Sequence, residues 1–165
     1  MSREFLTHPF EAFCPPDCRI LILGSFPSDA SRKDGFYYAH PRNRFWKVIS
    51  ALCGSQMPES LEEKKALLTE GGIALWDTIA SCLITSSADS SIINAEVNDI
   101  PSLLRDYPIE AVFCNGKKSA ELYKKHIGGK TNLPMDALPS TSPANASYSL
   151  EDLIEKWSVI KQYLR

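Results

Sequence analysis

Four short apolar runs alternate with helix-patterned segments along this chain, and no other feature narrows its fold as far. The runs are RILILG at 19–24, IALW at 73–76, AVFC at 111–114 and, more weakly, LPMDAL at 133–138. Short apolar stretches without polar alternation read as strands buried on both faces. Between them the period changes. Phe45, Val48, Ile49 and Leu52 share one helical face, with Gly54 as the stop. Ser60-Leu61-Glu62-Glu63 has capping-box spacing and opens a helix to about Glu70, ended by Gly71-Gly72. Further helices are expected over 99–106 and 117–126, and from the Ser149–Asp152 cap nearly to Arg165. Ser25 to about Arg42 reads as a polar loop, and the Ser-rich stretch from Asp77 to Asn98 as mostly loop. No two strands are joined by a tight hairpin turn. The expected fold is therefore α/β, a parallel sheet with helices on both faces.

A chain of 165 residues fits one domain, 1–165, and can bury a core without staples. Its five cysteines, Cys14, Cys18, Cys53, Cys82 and Cys114, are odd in number and irregular in spacing. They read as free thiols in a reducing compartment. Cys14 and Cys18 would make half of a metal site, but no second close pair completes one, so no metal is expected. The N-terminus lacks a signal-peptide pattern, and no apolar run reaches the roughly 18 residues of a membrane span. A cytoplasmic protein with no membrane partner is expected. A net charge of −2 and a pI near 5.9 argue against a globally basic nucleic-acid binder. Any phosphate contact must come from a local patch.

In parallel sheets, ligands bind beyond the carboxyl ends of the strands. The polar residues after each run then form one candidate rim: Gly24 to Ser28, Asp77, Asn115, and Pro139 to Pro143. That rim offers carboxylate, amide and hydroxyl groups and no cluster of metal ligands. Neither the phosphate-loop spacing GxxxxGK nor the dinucleotide spacing GxGxxG is present, which disfavours both nucleotide readings. The segment GFYYAHPRNRFW, 35–46, adds five aromatics, a histidine, two arginines and an asparagine.

The ordered set LILGSFPS, YYAHPRNRFW, LWDTIASC, VFCNGKKS and LPSTSPANAS resembles the uracil-DNA glycosylase superfamily. Within it, the set looks closest to the hypoxanthine-DNA (deoxyinosine) glycosylases. The resemblance implies a three-layer α/β/α sandwich around a short four-stranded parallel sheet. It implies a monofunctional, monomeric enzyme that needs no cofactor. Its partner would be DNA containing a deaminated base, chiefly hypoxanthine, whose bond to deoxyribose it would hydrolyse. Two departures matter. Many members carry Asp or Asn in the first loop, where this chain has GSFPSDAS, with Phe26 or its neighbours at that position. The last loop, PSTSPANAS, lacks the histidine of HPSP-type loops. The alternatives are a uracil or G-mismatch pyrimidine glycosylase of the same fold, or an inactive binding module.

On this resemblance Asn43, in HPRN, is the catalytic candidate, its amide oxygen holding a water below the sugar C1′. Spacing alone reads it as a helix N-cap. His40 would help orient water, or satisfy backbone groups in its loop. A base taken out of the stack needs an aromatic wall and readers for its edge. Tyr38, with Tyr37 or Phe36 as alternatives, would stack on it, and Phe26 is placed with the base-binding residues. Phe45 and Trp46 fit the helix face as core. Asp77 would accept the N1–H that hypoxanthine has and adenine lacks, or order a loop. Asn115 would read the O6 edge, or turn the chain with Gly116. Ser25, Arg42, Ser140, Thr141 and Ser142 are candidates for DNA phosphates, and Asn145 for the space the base vacates. Arg44 leans towards a solvated face; Lys117 and Lys118, at a helix start near the rim, would supply a basic patch or, as is more usual for such a pair, lie on a solvated helix face. No lysine stands where a Schiff base would need one, so strand cleavage is not expected.

Overall fold

The computed structural model describes residues 3–85 and 89–165. In chain order its strands and helices are β1 (Glu4–Thr7), β2 (Ile20–Gly24), α1 (Asp29–Asp34), α2 (Phe45–Leu52), α3 (Leu61–Gly71), β3 (Ile73–Asp77), β4 (Ile79–Ile84) and β5 (Ile93–Val97). There follow α4 (Ile100–Asp106), β6 (Ala111–Asn115), α5 (Lys117–His126), β7 (Met135–Leu138) and α6 (Leu150–Trp157). The four expected strands form a parallel sheet in the order β3-β2-β6-β7. The inner strands β2 and β6 are buried at every position, as unbroken apolar runs require. Alternate side chains of β2 feed two cores. Ile20 and Ile22 pack with Phe45 and Ile49 of α2, Leu68 of α3 and Trp157 of α6. Leu21 and Leu23 pack with Leu103 and Leu104 of α4 and Tyr123 of α5. Helix, sheet and helix are thus three layers. The chain leaves β2 for β3 and then returns past β2 to β6. The strand order reverses beside β2, and the carboxyl end there is the switch point at which such sheets open a crevice.

Both expected capping boxes form: the Ser60 and Ser149 hydroxyls accept from the backbone N–H of Glu63 and Asp152. Three expectations need correction. The loop from Ser25 to Arg42 contains α1, capped by the Ser28 hydroxyl. The last helix does not run unbroken to Arg165: α6 passes into a 3₁₀ helix over Ser158–Tyr163. Trp157, Ile160 and Tyr163, spaced three apart, all turn to the core there, and three is the 3₁₀ period.

The third correction is the largest. The stretch from Asp77 to Asn98, expected to be mostly loop, carries β4 and β5, while its residues 86–88 lie outside the described residues. With β1 they make an antiparallel sheet in the order β1-β4-β5. Its apolar face is small, built on Ile79, Cys82, Ile84 and Ile92, so the local pattern is faint. The strand that completes it comes from the far N-terminus, pairing Glu4 with Ile84 and Thr7 with Ser81. Only Thr78 separates β3 from β4. The Asn98 amide spans that kink, donating to the carbonyls of Asp77 at 2.8 Å and Ile79 at 3.3 Å. Among the described residues, no helix is long and apolar enough to cross a membrane.

Candidate active site

The carboxyl ends of β2, β3, β6 and β7 open into a cleft of about 990 Å³. Asn43, His40, Phe26, Tyr38, Asp77, Asn115, Ser25, Ser140, Thr141, Ser142 and Asn145 all line it. Arg42 does not; it stands exposed beside the cleft-lining His40 and Asn43. The strand-end rule therefore brings together side chains more than 100 positions apart.

Asn43, at the start of α2, is held in one orientation. Its Oδ1 accepts from the Phe45 backbone N–H at 2.9 Å and from the Thr141 hydroxyl at 2.8 Å. A carbonyl oxygen has two lone pairs, and both are used. Asn43 thus presents its NH₂, a donor, to the cleft, rather than the water-holding oxygen expected from the sequence. The N-cap position of α2 is Arg44, not Asn43 as the spacing suggested, and Asn43 instead closes a turn onto the Phe45 N–H from one residue earlier while lining the cleft. His40 Nδ1 accepts from the Arg42 N–H at 3.0 Å, so a neutral ring carries its proton on Nε2.

The loop after β7 is latched rather than loose. Thr141 is fully buried. Its hydroxyl accepts from Asn115 Nδ2 at 3.0 Å, and its N–H donates to Asn115 Oδ1 at 3.0 Å. Both were placed at the DNA or the base by the sequence reading. The structure commits the Thr141 hydroxyl proton to Asn43 and leaves Asn115 one N–H and one oxygen lone pair to offer. Asn145 Nδ2 donates back to the Ser140 carbonyl at 3.0 Å, tying that side chain into its own loop. Ser140 and Ser142 each accept a loop N–H on the hydroxyl oxygen, which leaves the hydroxyl proton to donate. Arg44, which leaned towards a solvated face in the sequence, instead binds three loop carbonyls, those of Ser142 and Asn145 at 3.0 Å each and that of Tyr148. A planar guanidinium fork suits such a set.

Asp77 ends β3 level with Gly24 of β2 and is buried, 3% exposed. A β-carbon built at Gly24 would collide with Asp77 Oδ1 and crowd the Tyr38 hydroxyl. Glycine is what lets the carboxylate lie against the neighbouring strand. The other oxygen, Oδ2, is 2.7 Å from His8 Nε2, in the segment just after β1. The sequence reading passed over His8, because an isolated histidine has no local pattern. Only the pairing of β1 with β4 carries it to the sheet end.

The family model of the uracil DNA glycosylase superfamily matches residues 11–164. The chain belongs to that superfamily. It is 35% identical over 142 residues to the hypoxanthine DNA glycosylase of Methanosarcina acetivorans, covering 85% of this chain and 89% of that one. It is 34% identical over 105 residues to the protein of that name from Methanosarcina barkeri, covering 62% and 66%. A solution NMR structure of a Methanosarcina acetivorans protein, described as a candidate uracil DNA glycosylase, superposes with a TM-score of 0.82 at 30% identity, covering 96% and 98%.

In this superfamily member the aromatic segment divides its work. Phe36, Tyr37, Phe45 and Trp46 are buried core, and the Tyr37 hydroxyl donates to the Glu11 carbonyl at 2.8 Å. Tyr38 is half-buried at the cleft, its ring stacked on Phe45 with centroids 4.0 Å apart. Its φ of 54° is a left-handed backbone that a tyrosine adopts only under constraint. The Trp46 indole N–H, donating to the Tyr38 carbonyl at 3.1 Å, supplies part of that constraint. Phe26 faces the cleft from the first loop, with the Arg32 guanidinium 5.9 Å from its ring centre. Lys117 and Lys118, at the start of α5, also line the cleft.

Proposed function

We propose that this chain is a monofunctional DNA glycosylase that releases hypoxanthine from deoxyinosine in DNA, opening base-excision repair. The observation that carries the reading is the 35% identity, over most of both chains, to a protein named for that activity. The cleft supports it with groups of the right chemistry. A base turned out of the duplex lies against Tyr38, where Phe45 backs the ring, and beside Phe26. Asp77 accepts the lactam N1–H, a proton that adenine lacks. An adenine in the same place would set its N1 lone pair against the carboxylate. Ser140 and Ser142 donate their hydroxyl protons to backbone phosphates, with Ser25, Arg42 and the two lysines of α5 nearby. Asn43 positions the attacking water through Nδ2–H, and His40 assists through Nε2–H. The bond from C1′ to the base nitrogen breaks with its electron pair leaving on the base. The water oxygen bonds to C1′ and gives up its proton to solvent. A sugar cation this electrophilic needs a placed water more than a strong base.

The test is base release from oligonucleotides carrying a single deoxyinosine, uracil or unmodified base, followed by alkaline cleavage of abasic sites. Alkali-dependent cleavage at deoxyinosine is the expected result. Cleavage chiefly at uracil would keep the fold and change the substrate. No cleavage by folded protein would leave a binding module.

A further inference from the structure

We propose that His8 is a positioning residue for base recognition. It occupies one oxygen of Asp77, so that the other is the single fixed acceptor for a ring N–H next to a carbonyl. This deepens the glycosylase reading and rests on it.

A carboxylate has no proton to give, so in the 2.7 Å contact His8 Nε2–H donates to Asp77 Oδ2. Both side chains are only 5% exposed. The rings of Phe10, Phe26 and Tyr37 surround the imidazole, with centroids 4.8, 6.0 and 6.2 Å away. A charge-assisted hydrogen bond in such an apolar setting is stronger and more directional than one in water. The backbone is pinned as well, the His8 N–H donating to the Ala80 carbonyl at 2.7 Å. On the far side Asp77 Oδ1 rests against Gly24, where no β-carbon intervenes. His8 holds Oδ2, and the bare backbone at Gly24 leaves the room in which Oδ1 lies.

His8 Nδ1 is buried with no hydrogen-bond partner. A histidine kept only for packing has no reason to bury an unpaired nitrogen, since an apolar ring would fill the space without that penalty. His8 lies outside the residues 11–164 that the superfamily model matches. The chemical class selected is the lactam base. Hypoxanthine, xanthine and uracil present the required N–H, as do guanine and thymine; adenine and cytosine do not. Rejection of guanine and thymine falls to other walls of the cleft.

The experiment compares single-turnover excision from a deoxyinosine oligonucleotide by the wild type, His8→Leu and His8→Gln. Leucine keeps apolar bulk and has no donor. Glutamine places an N–H close to that of Nε2. The expected result is a loss of about 10- to 100-fold in His8→Leu, at unchanged circular dichroism, with part of the rate restored in His8→Gln. A His8→Leu enzyme at the wild-type rate overturns the proposal, as does a His8→Gln enzyme no faster than His8→Leu. If His8→Leu does not fold, the imidazole nitrogen spectrum of the wild type decides. A protonated Nε2 is expected, and a proton on Nδ1 alone overturns it. A wild type that releases no base sinks the glycosylase reading, and this inference with it. An active wild type with an unaffected His8→Leu sinks this inference alone.

Discussion

The two ends of the Asn43 amide can be tested separately. Its oxygen satisfies the Phe45 N–H at the start of α2 and the Thr141 hydroxyl, and its nitrogen faces the cleft. Substitution should split the two. Asn43→Ala removes both groups and should cost about 1 kcal/mol of stability, with excision falling about 100-fold or more. Asn43→Asp keeps an oxygen for both donors. It should stay within about 0.5 kcal/mol of the wild type, yet lose excision as severely, because the donor is gone. Thermal denaturation and single-turnover kinetics on the same preparations make the comparison. An active Asn43→Asp enzyme would return the water-holding role to the oxygen. At this scale the sequence singled out Asn43, through HPRN and its place before a helix, and the structure puts it on the cleft wall. It could not say which end of the amide is already engaged, because Thr141, 98 positions away, decides that.

The element that shapes the cleft is the loop between β7 and α6. Three anchors hold it: the Arg44 fork on three carbonyls, the Trp157 indole N–H on the Pro139 carbonyl at 2.9 Å, and the Thr141 pairing with Asn115. Thr141→Val is nearly isosteric but strips the hydroxyl from between Asn115 and Asn43. It leaves the buried Asn115 N–H without its acceptor and takes one of two donors from Asn43 Oδ1, and should cost about 1–3 kcal/mol. Equilibrium denaturation by urea would read this as a lower midpoint at unchanged slope. An unmoved midpoint would mean that Arg44 and Trp157 suffice. The sequence placed this loop on the rim correctly and misjudged its bracing. Arg44 read as solvated because nothing local in the sequence offers its guanidinium a partner. The loop that covers it arrives about a hundred residues later.

Across the whole molecule, burial sets the response to alkali. It pushes the thiols of Cys14, Cys18 and Cys114 from an ordinary 9.0 up to about 12, 11 and 11, and the Tyr123 phenol to about 12. In each case the folded state holds its proton more tightly than the unfolded chain does. Below about pH 9 both states keep the proton, and the full stability is present. As pH rises past 9 the unfolded chain ionises first, so stability falls progressively towards pH 11–12. Chemical denaturation in reducing buffer at pH 7.5 and pH 10 should show a lower midpoint at the higher pH. Equal midpoints would mean that these groups titrate alike folded and unfolded.

Local pattern determined a good deal of this protein. Apolar runs at 19–24, 73–76 and 111–114 became the inner strands and one edge of the parallel sheet, and serine caps started two helices where their spacing said they would. Parallel βα order then placed the strand ends, and with them Asp77, Asn115 and the Ser140–Ser142 loop, on a single rim. These features follow from neighbours within a few residues, where side-chain period and backbone hydrogen bonds act. Tertiary structure alone decided the antiparallel β1-β4-β5 sheet, the orientation of the Asn43 amide, the capture of the half-buried Arg44 by three loop carbonyls, and the bond of His8 to Asp77 across 69 positions. Each joins groups whose encounter depends on long-range packing, and a hydrogen bond between distant residues leaves no periodicity in either segment from which to read it.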